Sequence, residues 1–142
     1  MATYSGRNAT VRIGSTAVVG IGSWNMEGVT IDQIDTTAFG SVWKTFEAGM
    51  SDGGQITFDG YFDPTDTAGQ TYLMTANNDG TQITGGTTSI RFYYSAGSYY
   101  TPCTSNPVSY VLITNYSIKA DKSDICRVSF TAKVSGKMSN VV

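Results

Sequence analysis

Apolar and polar residues alternate at period two through most of this chain. That pattern sends successive side chains to opposite faces of an extended strand, and it restricts the chain to folds built from half-buried antiparallel strands. The clearest stretch is 125–134, where Cys126, Val128, Phe130, Ala132 and Val134 face one side and Arg127, Ser129, Thr131 and Lys133 the other. Upstream, residues 110–120 set Tyr110, Leu112, Tyr116 and Ile118 against Asn115, Ser117 and Lys119, and Asp121-Lys122-Ser123-Asp124 joins the two runs as a hairpin turn. Further strands are expected over 9–13, 17–21, 28–37, 55–62 and 89–95. In 55–62 Ile56, Phe58 and Phe62 oppose Thr57, Asp59 and Tyr61; in 89–95 Ile90, Phe92 and Tyr94 oppose Arg91 and Tyr93. Sixteen glycines and clusters of Asn, Asp and Ser punctuate the runs. The expectation is a mainly β, antiparallel β-sandwich or barrel forming a single domain over 1–142.

One segment departs from period two. Over 66–78, Ala68, Tyr72, Leu73 and Ala76 recur at three- and four-residue spacing, which predicts one short flanking α-helix. Thr67 with Gln70 three residues on reads as a capping box, and Asn77-Asn78-Asp79-Gly80 as the stop. Two stretches carry no period and read as long loops: 38–54, with Trp43, Phe46 and Met50, and 96–107, with Cys103. Loops of this length are commonly functional, and large apolar residues argue against disorder in the first. Trp43, Phe46 and Met50 either fold back on the core or meet a partner chain, and the second reading is preferred because apolar clusters on exposed loops mark association surfaces.

Composition removes most other functions. At 142 residues the chain can bury about 68–70% of its unfolded surface and needs neither disulfide nor metal to hold a core. Charged residues are only 14%, whereas 20 Thr and 15 Ser make the polarity neutral rather than ionic. A net charge of −2, a pI near 4.8 and no basic run speak against a sequence-specific nucleic-acid reader. The chain has no His, which removes the commonest general base and transition-metal ligand together. The only glutamates are Glu27 and Glu47, and no spacing singles out a glycosidase-type carboxylate pair. The chain is therefore expected not to be an enzyme, and to have no cofactor and no metal. Asp63/Asp66 and Asp121/Asp124 fall where helix capping and turns already call for Asp, in preference to calcium.

Gly20-Ile21-Gly22 lacks the third glycine of a dinucleotide fingerprint, since Asn25 stands in its place, and reads as a turn. The sequons at Asn8 and Asn115 are the chance product of a chain rich in Ser and Thr. Cys103 and Cys126 are read as reduced thiols, Cys126 as a small buried hydrophobe, with a disulfide between them as the alternative. Residues 1–20 show no basic segment followed by an apolar one, and no run reaches the length of a membrane helix. Synthesis in the cytoplasm without a membrane partner is expected. Tyr93, Tyr94, Tyr99, Tyr100 and Tyr110 cluster, and are read as sandwich core and interface rim or, alternatively, as the stacking surface of a carbohydrate-binding or adhesin-like module.

The ordered set Ile34-Asp35-Thr36-Thr37-Ala38-Phe39-Gly40, Trp43-Lys44, Gly49-Met50-Ser51-Asp52-Gly53-Gly54 and the run from Gln55 to Asp66 with its Asp63-Pro64-Thr65-Asp66 helix start resembles the major tail tube proteins of long-tailed (siphovirus-like) bacteriophages. The hairpin Ile113–Ile118 to Val128–Gly136 is similar to that family's C-terminal end. The resemblance covers 28–80 and 108–136; residues 95–107 have no counterpart in the pattern.

The resemblance implies a structural virion protein, assembled in the host cytoplasm, whose hexameric rings stack into a tube that conducts DNA into the host. It implies a tape-measure protein and terminator or baseplate proteins as partners, with DNA a non-specific passenger. The alternative within the same fold is another ring-forming tail component, such as a tail terminator. In a tube, the 38–54 segment would reach a neighbouring ring through Trp43, Phe46 and Met50, and Asp32, Asp35 and Asp59 are the candidates for the lumen-facing surface.

Overall fold

The computed structural model describes residues 3–85, 89–105 and 108–142. After a short 3-10 turn at Gly6–Asn8 come β1 (Thr10–Ile13), β2 (Thr16–Ala17), β3 (Ile21–Glu27), β4 (Thr30–Asp35), β5 (Phe46–Asp52) and β6 (Gln55–Tyr61). The helix α1 (Gln70–Asp79) follows, then β7 (Ile83–Thr84), β8 (Ile90–Tyr93), β9 (Tyr99–Pro102), β10 (Tyr110–Lys119), β11 (Arg127–Ser135) and β12 (Met138–Val141). Two five-stranded sheets, ordered β12-β9-β8-β1-β2 and β3-β6-β11-β10-β7, pack as a sandwich, while β4 and β5 pair only with each other. All described pairings are antiparallel. The mainly β sandwich with one helix is the fold that the alternation predicts.

The core follows the period-two pattern. Phe58 on β6 stacks on Phe130 of β11 at 5.2 Å and meets Phe92 of β8 edge-on at 5.6 Å, which ties the two sheets at their centre. All three phenyl groups are fully buried, as are Ile56, Ile90, Val11 and Val111. Trp24 on β3 makes a second bridge between the sheets, donating its indole N–H to the Tyr93 carbonyl at 2.8 Å.

Several local expectations are corrected. The run 17–21 is not one strand: β2 ends at Ala17 and β3 begins at Ile21, because Gly20 takes a left-handed φ of 82° between them. On β10 the inward residues are Val111 and Ile113 rather than Tyr110 and Leu112. A bulge between Ile113 and Asn115 then changes phase, so that Tyr116 faces the core as expected. The bulge leaves the Ile113 carbonyl to accept from Asn77 Nδ2 on α1 at 2.8 Å. The stretches read as loops contain β5 and β9, and the end of 96–107 lies outside the described residues. Tyr93, placed by alternation on the outer face, is nonetheless buried, because the Arg12 guanidinium and the Tyr99 ring cover it. Cys103 and Cys126 are half-buried free thiols, not a disulfide.

The helix begins at Gln70 without the expected Thr67 capping box. Gly69 is the N-cap residue, and the Asp66 carboxylate takes the Gln70 N–H at 3.2 Å and the Val19 N–H at 2.8 Å. Gly80, left-handed at φ 67°, closes the C-terminus as expected. Gln70 is fully buried: its amide donates to the carbonyls of Val19 (2.6 Å) and Tyr61 (2.7 Å) and accepts from the Asp63 N–H (2.9 Å). It pins the helix start to the β2–β3 turn and to the end of β6. Replacing it by Leu would leave three part-buried backbone groups without these partners, at about 1 kcal/mol each. Gln70→Leu should therefore lower unfolding stability by about 3 kcal/mol in a denaturant titration, with β content retained below the transition.

Candidate assembly surfaces

The strands β3, β4, β5 and β6 form one long hairpin that the sandwich holds only by its base. Glu27 pairs with Gln55 in the sheet, and Thr30 pairs with Asp52 where the ribbon has left it. Gly28 (φ 75°) and Gly54 (φ 80°) make the bend in the two legs. A Cβ on Gly54 would strike the Glu27 carbonyl, and one on Gly53 the Gly136 carbonyl, so the root accepts only glycine at both positions. Beyond it, 29–52 stands off as a two-stranded arm. Past the last ladder pair the legs stay joined by Thr36 N–H to the Thr45 carbonyl (2.9 Å) and Thr45 N–H to Thr37 Oγ1 (3.0 Å), and a tip turn follows around Gly40.

The arm concentrates exposed apolar surface. Half of the exposed large hydrophobics among the described residues lie on it, including Phe39, Val42, Trp43 (82% exposed), Phe46 and Met50 (82%). The three candidate contact residues thus share the arm, Trp43 at its tip, Phe46 and Met50 on β5. Phe39 and Val42 belong to the same surface and were not singled out from the sequence; their adjacency to Gly40 and Trp43 in an aperiodic segment is the signal that could have found them.

The three candidate lumen carboxylates are not brought together. Asp32 and Asp35 are on β4: Asp32 falls at the register shift between Ile31 and Gln33, on the side of Ile34 and Gly49, whereas Asp35, next along from Ile34, points to the other face with its partner Phe46. Asp59 is on β6, on the outward face of the large sheet, where it accepts from Ser23 Oγ at 2.6 Å. That face is built of cross-strand rows: Asn25, Thr57, Thr131 and Asn115 in one, Ser23, Asp59, Ser129 and Ser117 in the next. Its middle rows are hydroxyls and amides with Asp59 as their one charge, and Glu27, Lys133, Arg127 and Lys119 stand in the end rows. The sheet also has open edges. Among the described residues β3 has no neighbour on its outer side, and β7 covers β10 only at Tyr110 and Val111.

The acidic pairs weighed as calcium ligands are engaged in turns. Asp63 Oδ1 takes the N–H and hydroxyl of Thr65, and Asp121 Oδ1 those of Ser123; both carboxyls are held below their ordinary range by these bonds. The tyrosine cluster is also occupied: Tyr93 meets Tyr99 at 4.8 Å and Tyr94 meets Tyr100 at 5.8 Å.

At the arm's root, Asp52 Oδ1 accepts from Lys133 Nζ at 2.7 Å and from the Gly54 N–H at 2.8 Å, and both bonds hold its pKa down, Lys133 foremost. Asp35 is likewise lowered, by the Thr37 hydroxyl and N–H. A carboxyl depressed on folding stabilises the native state above its unfolded pKa, and that contribution is lost as pH falls through the lower folded value. Amide exchange at Gly54 and Thr37 should therefore be protected at neutral pH and lose protection as pH falls below the ordinary Asp value of 3.8. Protection that persists unchanged at pH 2, or that is already absent at pH 7, would contradict this account of the root.

No protein-family model and no curated protein sequence matches the chain. Solved structures do. A chain from the tail of an empty gene transfer agent particle, refined helically with C6 symmetry, superposes with a TM-score of 0.74 at 13% identity over 99% of this chain and 100% of that one. A chain from the sheath/tube terminator of an extracellular contractile injection system, PVC, gives 0.70 at 11% identity over 100% and 99%. One from the PVC sheath-tube complex gives 0.69 at 13% identity over 99% and 92%. The chain has the fold shared by these tail and injection-system components, along its whole length.

Proposed function

We propose that the chain is the subunit of a tail tube, in which rings of identical copies stack into a conduit for DNA as part of a virion tail. The observation that carries this reading is the arm: a ribbon anchored only at its root, with its large apolar side chains in solvent. A surface of that kind calls for a partner, and its reach, about 3.3 Å per residue along each leg, is comparable to the height of the sandwich strands. In this reading the arm docks on the next ring through Trp43, Phe46 and Met50, with Phe39 and Val42 beside them. The open edges of β3 and β10 pair laterally between neighbours and close each ring, which turns an aggregation liability into assembly. The C6 symmetry of the gene transfer agent tail supports six copies per ring.

The outward face of the β3-β6-β11-β10-β7 sheet, hydroxyls and amides with Asp59 among them, then lines the lumen. A lining without a basic cluster gives phosphates little counterion release, so DNA can pass without being held. Asp32 and Asp35 belong to the arm in this arrangement and reach the lumen only where the arm lies along the neighbouring ring. The related fold of a sheath/tube terminator supports a second reading, a capping ring that ends a tube. The self-complementary role of a long apolar arm favours the stacking ring. Tape-measure and baseplate proteins are the further partners this role implies.

Trp43→Ala combined with Phe46→Ala should leave a folded subunit that forms rings but no long tubes in negative-stain electron microscopy; tubes of wild-type length would remove the arm from the stacking contact. Asp59→Lys should assemble normally yet yield tubes that retain DNA in a sedimentation assay. Tubes indifferent to DNA would place Asp59 away from the lumen.

A further inference from the structure

The outward face of the first sheet carries a cationic pair that no carboxylate among the described residues neutralises. Arg12 on β1 and Arg91 on β8 stand directly opposite each other in the register, a position in which like charges repel. The Arg12 guanidinium lies 4.7 Å from the centre of the Tyr93 ring and that of Arg91 4.9 Å from the centre of Tyr99, and the two rings are 4.8 Å apart. The four side chains form one half-buried layer in which aromatic faces hold the guanidiniums in place but supply no anion. Arg91 Nε donates to Ser89 Oγ at 3.2 Å, whereas Arg12 Nε is buried with no acceptor. The ion pairs found among the described residues, Arg127 with Asp124 and Lys133 with Asp52, lie elsewhere.

The matching anion is on the arm. Four carboxylates against Lys44 alone give residues 29–52 a charge of −3, which leaves +1 for the rest of a chain whose total is −2. Of the four, Asp52 is taken by Lys133 and Asp35 by the Thr37 N–H. Asp32 and Glu47 are exposed and unpaired among the described residues. They share one face of the ribbon: Glu47 is directly opposite Ile34, and Asp32 lies two residues from Ile34 on the same strand. Diagonal neighbours of this kind are about 7–8 Å apart, close enough for each carboxylate to meet one arginine of a cross-strand pair.

We propose that the Arg12–Arg91 layer is the receiving surface for the arm of a second copy of this chain, with Asp32 and Glu47 as its charged anchors and Ile34 between them. The inference rests on the reading that copies stack through their arms, and it names where the Asp32–Glu47 face of the arm lands, the face turned away from Phe46, which pairs with Asp35. Acid on the arm and base on the body make the contact heterologous, so each copy both gives and receives and the polymer stays open-ended.

Charge reversal with rescue tests it. Arg12→Glu/Arg91→Glu and Asp32→Lys/Glu47→Lys, each confirmed as folded by circular dichroism, should raise the protein concentration needed for tubes by about tenfold or more, as expected for uncompensated charges in an interface. Mixed one to one, the two proteins should restore assembly to within about twofold of wild type, since each supplies the complement of the other. Either protein assembling at the wild-type concentration, or a mixture that fails to restore tubes, would overturn the landing site. The second outcome would point instead to a different acidic protein as the occupant. If a reversed protein does not fold, the neutral variants Arg12→Gln/Arg91→Gln and Asp32→Asn/Glu47→Gln replace it. Salt should weaken wild-type assembly several-fold more than theirs, and an equal salt response would overturn the proposal. A wild-type protein that never self-associates at any concentration or salt would remove the tube reading together with this inference, whereas tubes insensitive to the substitutions would remove the inference alone.

Discussion

The geometry of this molecule turns on the place where a hairpin leaves its sheet. β3 and β6 are paired up to Glu27 and Gln55, and β4 and β5 resume pairing at Thr30 and Asp52, so both legs must bend within two residues of each other. At that point backbone meets backbone: Gly54 sits against the Glu27 carbonyl and Gly53 against Gly136. Any Cβ there would push the legs apart and turn the arm, and at Gly53 it would also press on Val134 at the margin of the core, while Phe58, Phe92 and Phe130 at the core's centre are not among the groups it would meet. The Asp52–Lys133 pair and the Val134 N–H bond to the Gly54 carbonyl at 3.1 Å fix the same joint to β11 from the other side. Folding and arm placement are therefore separable properties, carried by different residues.

What could be read from the sequence follows this division. Where a strand has one face in the core and one in water, as β6 and β11 do, alternation placed every buried residue from Ile56 to Val134 correctly, because burial itself creates the pattern. It misplaced Tyr110 and Leu112 because the bulge after Ile113 changes phase within a strand, and no local residue type announces it. β5 was overlooked although Phe46, Ala48 and Met50 alternate with Glu47, Gly49 and Ser51: the run is short, carries Gly49 at its centre and is exposed on both faces, so the alternation does not separate a core face from a wet one. The capping box failed because a distant group won. Asp66 serves Val19 from 47 residues away as well as Gln70, a bond that local spacing cannot reveal. Trp43, Phe46 and Met50 were legible as apolar residues out of place. The common surface expected of Asp32, Asp35 and Asp59 was not legible, since it needed the knowledge that Asp32 and Asp35 ride on a separate ribbon.

The arm is the part of the structure least able to justify itself alone. A two-stranded ribbon in water is marginal, and this one exposes Ile31, Ile34, Phe39, Val42 and Trp43 without packing them on the sandwich. What holds it is its root, the threonine bonds that join its legs near the tip, and its ladder. Burying even part of those side chains at about 25 cal/mol per Å² would add more than the ribbon's own hydrogen bonds supply. In the proposed tube a neighbouring copy would supply that burial and complete the arm.

The two sets of surfaces left open differ in the physics of their bonds. The edges of β3 and β10 offer backbone donors and acceptors, which pair with little sensitivity to ionic strength and specify register by geometry. The arm offers apolar side chains flanked by carboxylates, and the first sheet offers arginines held on tyrosine faces, so a contact between them is weakened by salt and specified by charge. Lateral closure through edges is finite, because a ring uses up both of them. Axial contact through an arm is not, because every added copy presents a fresh arm and a fresh receiving face. A chain with both kinds of surface has the two requirements of a tube, one interface that closes and one that cannot.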